Sequence, residues 1–352
     1  MNIHQKNELD RLLCILKKHE KVFAADPSNP GHVDPSVAVH DINVEGAKPI
    51  NQPPRRVSPA QREEIRKQLK QFLEAGIISE SRSPWASPIL MVPKGEGWRM
   101  VIDYRRLNAV TKREIYAIPR IDDALDALGG AMYFSTLDLA LGYYQIPMDE
   151  ESKEKTAFIS YEGQFMFNYM SLGMVNAPST FQRCMDAVLG GLKWNCVQIY
   201  LDDAIIYSPT FDQHLLDIVK VLTRFENAGF KLKAAKCHFC CSEVTYLGHL
   251  VSGEGVRANP KKVDLITNWE LPQGPGGAAK LHSFIGLTGY YRKLVKNYAT
   301  IEKPLRKALA RSEKDPKEYF KLLPVEEAAF RELQVIFQSD IVLAIPDFSG
   351  AS

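Results

Sequence analysis

Tyr200-Leu201-Asp202-Asp203 stands between two apolar runs, Val197 to Leu201 and Ala204 to Tyr207, which read as strands on either side of a turn. Taken alone, two aspartates at a hairpin tip are a solvated turn, because Asp tolerates turn geometry. A second acid in a matching context changes the reading. Asp138 closes another apolar strand, Tyr133-Phe134-Ser135-Thr136-Leu137, and is followed by Leu139-Ala140-Leu141-Gly142-Tyr143. If the two strands are neighbours in one sheet, Asp138 meets Asp202 and Asp203 at a common edge. Three carboxylates there repel one another unless a cation neutralises them. Hard oxygen ligands suit Mg²⁺, and two such ions can organise an in-line phosphoryl displacement.

The rest of the chain is compositionally ordinary. Its 352 residues are 45% hydrophobic and 24% charged, with 22 glycines and 21 prolines, which argues against a disordered, collagenous or disulfide-dense chain. No apolar run approaches the ~20 residues of a membrane span, and the opening MNIHQKNELD lacks a signal-peptide core. A soluble intracellular protein with no membrane partner is expected. Six cysteines are too few and too irregularly placed for a disulfide framework. The net charge of +2 says little, but the segment 256–311 carries eleven Lys/Arg against three acids, a local excess of +8. A basic module on a mildly acidic body suits a part that tracks a phosphate backbone; a solvated helical face is the plainer alternative.

Periodicity places the elements. Leu9, Leu12, Leu13 and Leu16 lie on one stripe of a first helix. Ser58-Pro59-Ala60-Gln61 opens a second with a capping box; Ile65, Leu69 and Phe72 form its buried face and Gly76 its stop. Strands follow over Pro88 to Val92 and Trp98 to Tyr104, then a helix over Ile121 to Leu128. Thr156 to Ser160 and Gln164 to Tyr169 read as a hairpin around Glu162-Gly163, and Pro178 to Leu189 as a helix. Thr210-Phe211-Asp212-Gln213 is a second capping box, with Leu215, Ile218, Leu222 and Phe225 inward and Gly229 at the helix end. Beyond Val256 only helices are expected, near 260–269, 280–296, 300–310 and 325–338.

Eight blocks in order resemble the polymerase part of a reverse transcriptase from a gypsy-type LTR retrotransposon. They are Gly76-Ile77-Ile78-Ser79 through Ser83-Pro84-Trp85-Ala86-Ser87-Pro88, and Trp98-Arg99-Met100-Val101-Ile102-Asp103-Tyr104-Arg105-Arg106-Leu107-Asn108. Phe134-Ser135-Thr136-Leu137-Asp138-Leu139, Lys155-Thr156-Ala157-Phe158 and Asn176-Ala177-Pro178-Ser179-Thr180-Phe181-Gln182 follow. Tyr200-Leu201-Asp202-Asp203, Tyr246-Leu247-Gly248-His249 and Gly286-Leu287-Thr288-Gly289-Tyr290-Tyr291-Arg292 complete the set. The resemblance implies an α+β right-hand polymerase with mixed α/β fingers, an antiparallel-sheet palm and a helical thumb. Its parts fall at 1–51 (N-terminal extension), 52–115 and 148–169 (fingers), 116–147 and 170–255 (palm), 256–312 (thumb) and 313–352 (connector toward a missing RNase H domain).

The resemblance also implies roles. Asp138, Asp202 and Asp203 match the catalytic carboxylates that hold two Mg²⁺ ions, with Mn²⁺ as a substitute and the Leu139 carbonyl as a further ligand. Tyr143 matches the aromatic beneath the sugar that excludes a ribose 2′-OH. Lys94 and Arg99 match finger residues that grip the triphosphate, Arg through a fork suited to phosphate oxygens. Leu172, Gly173, Asn176 and Pro178 match the turn into the helix under template and incoming base, with Gln182 further along it. Ser171-Leu172 departs from the usual Pro-Phe. Tyr200, Tyr246, Leu247 and Gly248 match residues at the primer terminus; Arg292 and Lys293 match thumb contacts to the duplex. Lys236 falls where the family has a lysine near the pyrophosphate leaving group.

The implied function is an RNA-directed DNA polymerase extending a primer with dNTPs on RNA or DNA templates. A catalytically idle nucleic-acid-binding remnant of a retroelement polyprotein is the alternative; an RNA-templated RNA polymerase is disfavoured by bulky Tyr143. Cys237, His238, Cys240 and Cys241 invite a zinc reading, but their spacing is cramped and no second ligand pair follows. Ile341 to Ser349 resembles the connector, and no protease, RNase H or integrase signature is found. The chain is thus expected to be one module of a polyprotein, or a truncated copy of one, with protease, RNase H and integrase as partners; the resemblance implies a cytoplasmic virus-like particle or the nucleus as its place.

Overall fold

The apolar runs around Asp202-Asp203 and before Asp138 do pair, in a computed structural model that describes residues 3–26, 30–95, 97–314 and 319–339. The expected connector, Ile341 to Ser349, lies outside the described residues. The chain divides into two compact units, 1–127 with 133–241, and 128–132 with 242–352.

The first unit opens with α1 (Ile3–Lys18) and α2 (Pro59–Glu74). The box at α2 forms: Ser58 Oγ accepts from Gln61 N–H while the Gln61 side chain accepts from Ser58 N–H. Strands β1 (Ile78–Glu80), β2 (Ser87–Lys94) and β3 (Gly97–Ile102) lead to short helices α3 (Arg105–Val110) and α4 (Ile121–Asp126). Then come β4 (Tyr133–Asp138), α5 (Glu150–Lys153), β5 (Phe158–Ser160), β6 (Gly163–Phe167) and α6 (Ala177–Val188). β7 (Val197–Tyr200), β8 (Asp203–Ser208), α7 (Phe211–Ala228) and β9 (His238–Cys241) complete it.

Two sheets result. One has the order β1-β6-β5-β2-β3 and is mixed, because β2 pairs with β5 in parallel. The other, β7-β8-β4-β9, is antiparallel throughout. Helices α6 and α7 pack on this second sheet and bury Phe181, Met185, Ile218, Leu222 and Phe225. Beneath them Ser135, Ser208, His214 and Asp217 form a fully buried polar chain. Ser135 Oγ stands 2.7 Å from His214 Nε2, and Ser208 Oγ donates to Asp217 Oδ2 at 2.8 Å. Burial pushes the His214 imidazole down to about 4, so it is neutral at physiological pH.

Several expectations need correction. Only Leu12 of the α1 stripe is buried, with Ile15 and Leu16 partly so; Leu9 and Leu13 face solvent, because α1 rests on the core along a narrower line than four leucines would cover. At α7 Thr210 accepts from Gln213 N–H, but the Gln213 amide donates to Asp217 instead of returning to the cap, leaving half a box. The first hairpin strand starts at Phe158 rather than Thr156. Thr156 Oγ1 donates to Lys153 O at 2.6 Å and accepts from Phe167 N–H at 2.8 Å, which holds 154–156 in a 3-10 turn.

The second unit contains a meander, β10 (Glu243–Tyr246), β11 (His249–Ser252) and β12 (Gly255–Ala258), followed by α8 (Pro260–Thr267), α9 (Gly277–Tyr290), α10 (Tyr298–Lys314) and α11 (Pro324–Gln338). Strand structure therefore runs to Ala258, past the expected limit at Val256. The helix expected over 280–296 starts at Gly277 and ends at Tyr290; a 3-10 turn, Arg292–Leu294, follows. The core of this unit is built on Phe284 and Phe330, whose ring centroids are 4.3 Å apart, with Leu281, Leu305 and Leu333 around them.

Gly229 closes α7 at φ +81, and a Cβ there would lie 2.4 Å from the His32 carbonyl oxygen. Gly229→Ala should destabilise the protein by about 1–2 kcal/mol from the left-handed backbone alone, and by more as the His32 segment is displaced. Urea unfolding measures this; an unchanged midpoint would show that the His32 contact yields freely.

Candidate active site

The antiparallel register of β4 and β8 sets Asp138 opposite Asp203. Tyr200 is also opposite Asp203 in the β7–β8 pair, so Leu201 and Asp202 form the two-residue turn. Leu201 takes a left-handed φ of 55, and Asp202 is thereby turned out at the strand end. Asp203 is exposed as a residue, yet protein atoms crowd its carboxyl. That burial, then the charges of Asp202 and Asp138, push it up to about 6. Among the described residues no trio of His, Cys, Asp or Glu forms a ready-made metal cage. The sheet aligns the three backbones while the carboxyls repel, and Asp138 takes Lys236 Nζ at 3.0 Å. The donor set is nonetheless all oxygen and over-supplied with negative charge, which fits a hard divalent cation.

Cations face this acid cluster. Lys94 closes β2 and Arg99 stands on β3, across the same hairpin. The Lys94 ammonium is pushed down, first by Arg99, then by burial, then by Lys236 and Lys233. Lys94, Arg99 and Lys236, singled out in the sequence, thus share one electrostatic neighbourhood. Lys233, which the sequence reading missed, joins them. Its backbone N–H donates to Asp138 O at 2.8 Å, so the isolated bridge between Leu139 and Leu232, rather than any motif, puts it there. Lys94, Arg99, Tyr144 and Leu172 line a common cleft of about 410 Å³.

The remaining residues of the first unit divide into exposed and supporting. Tyr143 sits in a 3-10 turn, Gly142–Gln145, with its ring stacked on Phe181 at 5.0 Å. Burial and the Asp202 charge push its hydroxyl up to about 12. Gly173 is exposed at φ +90, and its carbonyl accepts from Asn108 Nδ2 at 2.8 Å. Pro178 is half-buried in the first turn of α6, Tyr200 half-buried at the end of β7, and Leu139 buried. Ser171, the departure noted above, is buried with its hydroxyl against those of Tyr104 and Tyr144.

Two residues expected at primer or template are instead internal. Asn176 is buried, donating to Lys112 O at 2.8 Å and accepting from Glu114 N–H at 3.1 Å. Gln182 is fully buried, and its Oε1 accepts from Leu201 N–H at 2.9 Å. It braces the Asp202 turn rather than presenting an amide to a nucleic acid. Also unforeseen is Asp103, buried and held down to about 2 chiefly by its hydrogen bond to Arg105, with Arg55 as a second guanidinium partner. Cys237 accepts from Asp138 N–H at 3.5 Å, and burial pushes its thiol up to about 11 and that of Cys240 to about 12.

In the second unit Tyr246 is buried, Leu247 has φ 45 and Gly248 φ 70. Tyr290 Oη donates to Leu247 O at 2.6 Å and Tyr291 Oη to Gly248 O at 2.7 Å. The turn expected with the palm is therefore bonded to α9 and shares its unit. Arg292, Lys293 and Lys296 are exposed, while Tyr291, Leu294, Val295 and Tyr298 between them are buried.

Residues 92–251 match the reverse transcriptase (RNA-dependent DNA polymerase) family. Over that segment the chain is similar to reverse transcriptases. The chain is 39% identical over 315 residues to the retrovirus-related Pol polyprotein from transposon 297 of Drosophila melanogaster, covering 88% of this chain and 29% of the polyprotein. With the Pol polyprotein from transposon gypsy of the same organism the identity is 37% over 298 residues, or 81% and 28% of the two. It thus spans under a third of the curated relatives it matches. A foamy viral protease-reverse transcriptase, solved in complex with dsDNA, superposes with a TM-score of 0.87 at 24% identity, over 99% of this chain and 71% of that one. The structure of that protein with an RNA/DNA hybrid gives 0.85 at 24%, over 97% and 45%. The fold is the α+β right-hand polymerase class expected from the sequence.

The raised carboxyl of Asp203 gives a pH signature. A carboxyl favoured as the neutral acid in the folded state contributes stability below its unfolded value of 3.8 and loses it as pH rises through about 6. Asp203→Asn should therefore raise the melting temperature in chelator at pH 7.5 clearly more than at pH 4. Equal shifts at both values would mean that the acid cluster is not under strain.

Proposed function

We propose that this chain is an active RNA-directed DNA polymerase, extending a primer with dNTPs on RNA or DNA templates. The observation that carries this reading is the juxtaposition of Asp138 and Asp203 across β4 and β8 with the cations Lys94, Arg99, Lys233 and Lys236 around them. A triphosphate needs both: cations for its oxygens and a carboxylate edge for metal ions. Asp138, Asp202 and Asp203, with the Leu139 carbonyl, would hold two Mg²⁺ ions, or Mn²⁺. Bound there, the ions would supply activation of the primer 3′ oxygen and charge compensation on the phosphoryl oxygens.

The protein's own groups do the rest. Lys94 and Arg99 bind the β- and γ-phosphates, leaving the α-phosphorus open to in-line attack by the primer oxygen as the bond to the β-phosphate breaks. Lys236 gives up its pair with Asp138 and turns to the departing pyrophosphate. Tyr143, propped by Phe181, closes the space beside the sugar 2′ carbon. Leu172 and Gly173 form the floor of the base pocket. Tyr246, Leu247 and Gly248 position the primer end, and Arg292 and Lys293 contact duplex phosphates. The template, primer and companion protease, RNase H and integrase parts are the partners in this reading.

Asp202→Asn keeps the side-chain shape and removes charge. It should lower primer extension by about a hundredfold or more while melting temperature and duplex affinity stay near those of the parent. Near-normal extension would exclude Asp202 from catalysis, and an inactive parent would favour the idle remnant.

Tyr143→Val should raise the efficiency of rNTP relative to dNTP incorporation by about tenfold or more, because space for a 2′-OH opens beside Phe181. The ratio of the two efficiencies on one primer–template measures it. An unchanged ratio assigns the gate to another side chain.

A further inference from the structure

Among the described residues, strand β3 is an edge of its five-stranded sheet, with β2 on one side and no strand on the other. An unpaired edge leaves outward N–H and C=O groups to water. Here α2 covers it with one side chain. Gln68 Nε2 donates to Trp98 O at 2.8 Å, and Gln68 Oε1 accepts from Met100 N–H at 2.9 Å. The two bonds fall on either side of Arg99 and reproduce what a neighbouring strand would supply. The second Nε2 hydrogen goes to Glu64 Oε1 at 2.6 Å, one turn earlier on α2. Because Met100 N–H can only donate, the orientation of the Gln68 amide is fixed.

We infer that Gln68 is a positioning residue for the triphosphate grip: it clamps the backbone that carries Arg99. The inference rests on the proposed role of Arg99. Strand alternation sends Met100 into the core and Arg99 to the opposite, exposed face. Arg99 is the third residue of β3, close to a turn that includes Gly95 at φ +59, and Gln68 bonds the main chain on both sides of it. A guanidinium fork recognises phosphate oxygens only when held in register, and small displacements of such a group cost much of its effect. Gln68 lines the same cleft as Arg99, but its amide is taken up by Trp98 O, Met100 N–H and Glu64. It acts through the peptide bonds on both sides of Arg99.

The test is single-nucleotide incorporation by the full chain carrying Gln68→Ala, Arg99→Ala or both. Losing both clamp bonds should raise the KM for dNTP about tenfold with kcat and primer–template affinity within about twofold. In the Arg99→Ala background the same Gln68→Ala change should leave that KM unmoved, since there is no guanidinium left to position. If Arg99→Ala alone leaves the KM unchanged, the reading of Arg99 falls. If Arg99→Ala raises it but Gln68→Ala does not, or does so equally in both backgrounds, the clamp falls and the reading of Arg99 stands. Gln68→Met guards against a folding defect in the alanine variant. It keeps the length of the side chain, adds no charge beside Glu64 and loses both clamp bonds, so its KM should match that of Gln68→Ala. A parent-like KM in Gln68→Met, with melting temperature preserved, overturns the two-bond clamp.

Discussion

The alignment of β4 with β8 is the constraint on which the site depends. Six residue pairs, from Tyr133 with Ser208 to Asp138 with Asp203, fix it. A slip by one residue would exchange the two faces of β4, putting Ser135 and Leu137 where Phe134 belongs, and separate the two acids at once. The buried Ser135–His214–Ser208–Asp217 chain crosses β4, β8 and α7 and is satisfied in one register only. Apolar burial and polar satisfaction therefore select the same pairing. The charge repulsion between Asp138, Asp202 and Asp203 opposes it, and the core must outweigh that repulsion.

The acids and the cations are separated along the chain but not in space. Asp138 and Asp203 come from one sheet, Lys94 and Arg99 from the β2–β3 hairpin of the other, and Lys233 and Lys236 from the segment entering β9. Each group is carried by regular structure or tied to it by backbone bonds, such as Lys233 N–H to Asp138 O. Loops alone would leave six long side chains to find one another at a large entropic cost. Here the strands meet most of that cost before any ligand arrives.

Local chemistry was legible in the sequence wherever it acts over a few residues. The Ser58–Gln61 box, the Gly229 stop and the strand on each side of Asp202-Asp203 follow from neighbours in sequence. What the sequence hid are the bonds that span it. Gln182 and Leu201 meet because α6 lies against β7, and Asn176 reaches Lys112 across 64 positions. Both were expected at a nucleic acid because they lie in a family block. A polar residue inside a motif can serve the fold as readily as the ligand, and only its burial separates the two. Thr156 shows the same limit on a smaller scale: its hydroxyl, not its β-branched shape, decided that a strand began two residues later.

Strain marks the turns on which the proposed chemistry rests. Leu141, Leu201 and Leu247 all take positive φ, which a leucine adopts at a cost of about 1–2 kcal/mol. Each precedes a residue assigned to a site: Tyr143, Asp202 and Gly248. Each is also held from outside its own turn or by the turn it begins. Gln182 accepts from Leu201 N–H, Tyr290 donates to Leu247 O, and Tyr144 N–H closes onto Leu141 O. A glycine would enter these conformations without strain, but it would also leave them freely. Leucine costs more to place and is harder to displace once its side chain and its backbone partner are both engaged. The proposed sites are therefore stiffened by bonds to the backbone that carries them, and Gln68 beside Arg99 follows the same rule by a different route.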